Sequence, residues 1–143
     1  MFSILKSSHS LLAYVALLAL VICVVMAAVA FFSKKTWSAS QFKIALFGLI
    51  AAHIQLLLGL LLYFTSPNGM SNLSGETMKD SFGRLLAVEH PFTNIIALII
   101  ITLGYSKGKK ALESLGAAKT VFIYYGIGLI LILSRIPWKV WLQ

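Results

Sequence analysis

Four runs of this chain are apolar for about twenty residues or more, and each is fenced by charged or turn-forming residues. A helix rises about 1.5 Å per residue, so about 20 residues cross the roughly 30 Å hydrocarbon core of a bilayer. Inside lipid, a spanning segment must satisfy its own backbone N–H and C=O groups, and the helix does this within one segment. The runs predict helices over about 8–33, 41–65, 84–106 and 118–137. With short connections between them, the expected fold is an all-α integral membrane protein, one antiparallel four-transmembrane-helix bundle over residues 1–143.

Composition agrees with that reading. Hydrophobic residues make up 59% of the chain and charged residues 11%, where a soluble domain is about half apolar and about a quarter charged. The net charge of +8 would suit a nucleic-acid partner if it formed a basic stripe with interleaved aromatics. Instead the charges sit at the ends of apolar runs, where they set topology and meet anionic lipid. The expected partner is therefore the lipid bilayer, and nucleic acid is excluded. The single cysteine, Cys23, lies inside an apolar run, which excludes a disulfide framework and a cysteine-built zinc site.

The first run ends near Ala28-Val29-Ala30, which resembles a signal-peptide cleavage site. It is longer than the usual signal core, and Lys34 and Lys35 follow it as an anchor would place them, so a retained helix is expected. Ser38 or Ser40 can cap the second helix, Gly48 and Ala52 suit a close helix contact, and Pro67-Asn68-Gly69 ends the run. The polar stretch 66–83 predicts a short interfacial helix near Glu76–Ser81. Pro91 removes a backbone donor and frees the carbonyl of Ala87, predicting a local distortion. Gly126 and Gly128 are expected at close helix approaches, and Tyr63, Trp138 and Trp141 in an interfacial aromatic belt.

With four spans, loops 1–2 and 3–4 lie on one side and carry seven lysines: Lys34, Lys35, Lys43, Lys107, Lys109, Lys110 and Lys119. The other side carries Lys6, Lys79, Arg84, Arg135 and Lys139, diluted by Glu76 and Asp80. The positive-inside rule then puts the lysine loops in the cytoplasm and both termini in the periplasm of a bacterial inner membrane.

The polar groups inside the spans are the candidate site. Ionisable side chains at membrane depth are costly, and they usually face a protein interior and mark function. Counted by helical rise from the lysines, His53 lies about 15 Å up, Arg135 about 24 Å, His90 about 25 Å and His9 about 39 Å. Glu89 and Arg135 share a level, which predicts a structural ion pair between the third and fourth helices. The histidines climb in steps. A gap of about 10 Å between His53 and His90 counts against one haem sandwiched by those two. The expected site lies in the outer half of the bundle between the second and third helices, with His53 and His90 as ligands, His9 at its mouth, and Gln55 and Asn94 near the same levels.

The phrases His53-Ile54-Gln55-Leu56, Leu62-Tyr63-Phe64-Thr65-Ser66-Pro67, Glu89-His90 and Ile136-Pro137-Trp138, with His9-Ser10 at the start, span nearly the whole chain. In them it resembles a family of small four-span proteins of Bacteroidetes-type bacteria that often carry the label "cytochrome b". More loosely, the HxQxxxG pattern is similar to one half of haem A synthase, which carries a ligand position over to His53. The fourth helix lacks the second histidine of such halves. The resemblance implies haem b and membrane electron transfer, with Arg135 placed to hold haem propionates. The identity of any bare metal is left open. The alternative reading is a non-catalytic accessory subunit packed against a larger respiratory or transport membrane complex. No nucleophile–base pair, phosphate loop or carboxylate dyad stands out, so no catalytic activity of the chain's own is expected.

Overall fold

A computed structural model describes residues 2–141. Four long helices dominate it: α1 (Phe2–Phe32), α2 (Ala39–Thr65), α4 (Ser81–Lys110) and α5 (Leu115–Ser134). A short α3 (Gly75–Lys79) precedes α4, and a single turn, α6 (Trp138–Trp141), follows α5. All four long helices are long and apolar enough to cross a membrane. The protein is an all-α, multi-pass four-helix membrane bundle.

The helices run antiparallel in sequence order around a square. α1 packs on α2, α2 on α4, α4 on α5, and α5 closes back on α1. α1 and α4 therefore occupy opposite corners. The core runs down the middle through Leu20, Cys23, Ala27, Ala45, Leu49, Ile101, Val121 and Tyr125. One polar bond crosses it: the buried Tyr125 hydroxyl donates to the Ala45 carbonyl at 2.9 Å, tying α5 to α2.

Local chemistry explains the boundaries. Ser38 caps α2 in a capping box with Gln41. Gly69 ends the turn after α2, and a Cβ there would overlap the Tyr63 carbonyl. Ser74 caps α3, and Asp80 caps α4 through a 2.6 Å bond from the Gly83 N–H. That cap starts α4 earlier than the apolar pattern did, and the lysines carry it on to Lys110. The short helix after α2 is Gly75–Lys79 where the sequence placed it near Glu76–Ser81. α5 stops at Ser134, short of the expected 137, because Pro137 disfavours helical backbone at Ile136.

The lysine end is tightly closed. Trp37, between α1 and α2, is fully buried against Phe42, and its carbonyl accepts the Glu113 N–H at 3.1 Å. The two lysine-bearing loops are thereby joined. Lys34 turns the chain sharply after α1 with φ of 54°.

α4 and α5 approach most closely where side chains are missing. A Cβ on Gly104 would overlap that of Tyr124. A Cβ on Gly128 would overlap the Ile101 side chain and come within 3.2 Å of the Ala97 carbonyl. Gly48 lies in ordinary contact with Ala19 and Leu20 of α1, and Gly126 has open space beside it. Gly128→Ala should therefore cost about 1–3 kcal/mol in reversible detergent unfolding. Gly126→Ala should stay within about 0.5 kcal/mol of wild type. Equal behaviour of the two variants would refute the close α4–α5 approach at Gly128.

Candidate functional site

Pro91 sits near the first third of α4, where it can donate no backbone bond. The helix answers by widening. Over Leu85–Glu89 the turn spans five residues, and the His90 N–H bonds to the Leu85 carbonyl. Residues five apart on a regular helix point about 140° apart. The wide turn stacks them instead, which brings Arg84 over Glu89, with Arg84 Nε 2.8 Å from Glu89 Oε1. Arg84 also donates from Nη1 to the Met78 carbonyl at 2.8 Å, fastening α3 to the same spot.

Arg135, at the end of α5, places its Nε 3.4 Å from Glu89 Oε2. Glu89 thus receives one arginine on each oxygen, from its own helix and from the neighbouring one. The backbone of Arg135 contributes as well. Its carbonyl lies 2.7 Å from His90 Nδ1, and a carbonyl can only accept, so Nδ1 carries the proton. The lone pair of His90 is then on Nε2. Asn94 donates to the His90 carbonyl at 2.6 Å, one turn along α4.

His9 lies on α1, the diagonal neighbour of α4. Its ring meets that of His90 edge to face, with centroids 6.4 Å apart and planes at 79°. Gln55 of α2 holds His9 in place: its amide nitrogen donates to the His9 carbonyl at 2.9 Å and lies 3.3 Å from His9 Nε2. Gly59 makes room for the ring, since a Cβ there would come within 3.1 Å of His9 Cε1. Two atoms of this cluster, His9 Nδ1 and Gln55 Oε1, are buried with no hydrogen-bond partner. Buried polar atoms are almost always paired, so two orphans at one site stand out.

His53 is elsewhere. It is exposed, and its Nδ1–H donates to the Leu49 carbonyl of its own helix at 2.9 Å. It faces a groove between α2 and α4 lined by Leu56, Ile95, Leu98, Ile99, Thr102 and Leu103. The structure therefore brings together His9, His90, Glu89 and Arg135, with Gln55 and Asn94, and leaves His53 outside.

The depth count explains the difference. α1 ends at Phe32, so Lys35 was too low an origin for His9 by about 4 Å. α4 stays helical to Lys110, so Lys107 was too high an origin for His90 by about 4 Å. Corrected, the two lie within about 5 Å of one level, while His53, counted from Ala39 at the start of α2, lies about 9 Å lower than His90. The pairing of Arg84 with Glu89 was also missed. Its one signal was the Pro91 distortion, whose widened form places residues five apart on one face.

Among the described residues no three His, Cys, Asp or Glu side chains converge as a metal cage would need. Comparison with family models, curated proteins and solved structures finds no match to this chain.

Because Glu89 keeps one arginine after either loss, Arg84→Leu and Arg135→Leu should each be mild. The double variant should lose more than the sum of the singles, with an extra cost of about 1–3 kcal/mol from the stranded carboxylate. Strict additivity in detergent unfolding would show that the two arginines act independently.

Proposed function

We propose that the His9–His90 pair is the ligand set of a b-type haem, and that the chain is a small cytochrome-b-like protein of membrane electron transfer. The observation that carries this reading is the diagonal meeting of the two histidines. They come from helices that are not bundle neighbours, yet their rings touch between α2 and α5. The ring centres stand 6.4 Å apart with the planes at 79°. Aromatic contacts span such separations, so the separation alone is permissive.

The hydrogen bonds add to it. A ligating histidine commonly donates its other ring N–H to a carbonyl or carboxylate, which fixes the tautomer. His90 does this toward Arg135, leaving Nε2 free. His9 keeps one orphaned nitrogen, Nδ1, and its ring fills the room left by Gly59. A two-histidine set suits haem better than a bare metal, which draws three or four protein ligands. A haem held there would supply a one-electron couple. The protein's part is to fix both imidazoles, exclude water with the α1–α2 contact, and place Arg84 and Arg135 at the same end. Both guanidiniums now serve Glu89, and either can turn to an anionic group such as a propionate.

The resemblance to four-span proteins labelled cytochrome b supports the same reading. The lysine asymmetry bears on orientation alone, and in a bacterial inner membrane it favours the histidine end and both termini in the periplasm. A second reading has its own observation. Glu89 is satisfied by both arginines without any cofactor, as a structural clamp in an accessory subunit of a larger complex would be.

Expression with haem supply and reduced-minus-oxidised spectra separate the two. The wild type should show a low-spin b-type spectrum. His9→Ala and His90→Ala should each abolish or convert it, while His53→Ala should leave it unchanged. A folded wild type without haem absorption would sink the haem reading and favour the accessory subunit.

A further inference from the structure

At the lysine end, the turn from α1 into α2 leaves an open cleft of about 870 Å³. It lies at the opposite end of the bundle from the histidine pair. Its wall is Val25, Met26 and Val29 of α1, and its rim is Lys35, Thr36 and Gln41. Val25 and Val29 stand one turn apart on α1 and are 55% and 59% exposed, on the face that meets lipid. By helical rise, Val25 lies about 10 Å below the end of α1 at Phe32. The cleft therefore runs from a polar rim to an apolar wall over the change from headgroup layer to hydrocarbon in one leaflet.

The free groups of the rim are donors. Gln41 accepts at Oε1 from the Ser38 N–H at 2.8 Å and from the Ser38 hydroxyl at 3.1 Å, so its amide NH2 is left to donate. The Lys35 ammonium can only donate, and the Thr36 hydroxyl can donate as well. The ion pairs among the described residues are Lys79–Glu76, Arg84–Glu89 and Arg135–Glu89, which leaves Lys35 out. Among the described residues no acid lines the cleft, and α2 has none in its first turn. Glu113 is the one acid in the two lysine-bearing loops, against seven lysines, and it lies outside the lining.

An ammonium and two neutral donors above an apolar wall match an anion joined to a hydrocarbon chain. A free phosphate would use the rim and leave the wall bare. An acidic protein segment would reach the rim, but the wall lies below the membrane surface. A zwitterionic phospholipid carries its own ammonium, which competes with Lys35 for the phosphate. An anionic phospholipid has an uncompensated phosphodiester with acyl chains running on from it, so one molecule meets both halves of the cleft.

We propose that this cleft is a specific site for an anionic glycerophospholipid. Lys35 Nζ, the Thr36 hydroxyl and the Gln41 amide hold its phosphodiester, and one acyl chain lies along Val25, Met26 and Val29. General attraction to an anionic leaflet treats the lysines alike, whereas this site depends on Lys35 above the others.

The test uses the full chain in a neutral detergent. It is titrated with phosphatidylglycerol, and separately with phosphatidylcholine of the same chains, while native mass spectrometry counts the lipid retained. One phosphatidylglycerol per chain should be held at least about tenfold more tightly than phosphatidylcholine. Lys35→Gln should weaken it about tenfold. Lys110→Gln makes the same charge change at the end of α4, diagonal to α1, and should weaken it less than about twofold. Both lysines are exposed, so neither change empties the core, and an unchanged helical circular dichroism spectrum checks the fold. Inorganic phosphate and the deacylated headgroup, glycerophosphoglycerol, should not displace the lipid. Equal retention of the two lipids overturns the proposal. Equal weakening by Lys35→Gln and Lys110→Gln overturns it too, and assigns binding to the lysine surface as a whole. Displacement by inorganic phosphate or by glycerophosphoglycerol overturns the lipid assignment and leaves a site for free anions.

Discussion

The Glu89 carboxylate sets the architecture of the histidine end. A single negative charge in a spanning helix needs a partner of opposite sign, because lipid cannot solvate it. The bundle supplies two. Arg84 reaches it only because the helix widens over Leu85–Glu89, and the widening is the accommodation of Pro91. Arg135 reaches it only because α5 stops at Ser134 and turns at that level. Once Arg135 is drawn to Glu89, its carbonyl falls on His90 Nδ1 and sets the tautomer of that ring. One charge thus orders a helix distortion, the end of a second helix and the orientation of a histidine.

Much of this was legible in the residues. Four apolar runs with polar fences specify the number and antiparallel order of the helices, since lipid admits few other forms. Matched depth and opposite charge pointed to Glu89 and Arg135, and the structure places them 3.4 Å apart between neighbouring helices. The histidine geometry was not legible, because it depends on where each helix truly starts. Three residues at one end of α1 and three at one end of α4 together moved His9 and His90 about 9 Å relative to each other. Apolar pattern cannot fix such ends. They are set by caps and turns, such as the positive φ of Lys34 after α1 and of Glu113 after α4. Arg84 escaped notice for a related reason. Its partner lies five residues on, a spacing that a regular helix does not pair.

The two ends of the bundle are held by different physics. At the lysine end, small residues and aromatics do the work: Ala117, Ala118 and Gly108 let helices close around Trp37, Phe42 and Tyr105. That packing is apolar apart from the buried Trp37 Nε1, which has no hydrogen-bond partner among the described residues. At the histidine end, side chains are half-buried and joined by hydrogen bonds and ion pairs, with two polar atoms left unmatched. Each such unpaired buried atom costs about 1–3 kcal/mol. Among the described residues, two such atoms, His9 Nδ1 and Gln55 Oε1, meet at this end, and a third, Trp37 Nε1, lies at the lysine end.

His53 and His90 look alike in sequence, each a histidine inside a spanning helix, and each donates its Nδ1–H to a backbone carbonyl. The carbonyls differ in origin, and that difference separates how the two rings are held. The His53 acceptor, Leu49, is on its own helix, so the ring is aimed by α2 alone and moves with it. The His90 acceptor belongs to Arg135, at the end of another helix, so the ring is aimed by the α4–α5 contact and by Glu89 behind it. The same tautomer lock thus occurs at a contact between helices and on the face of one helix beside the α2–α4 groove, and the surrounding helices decide which is which.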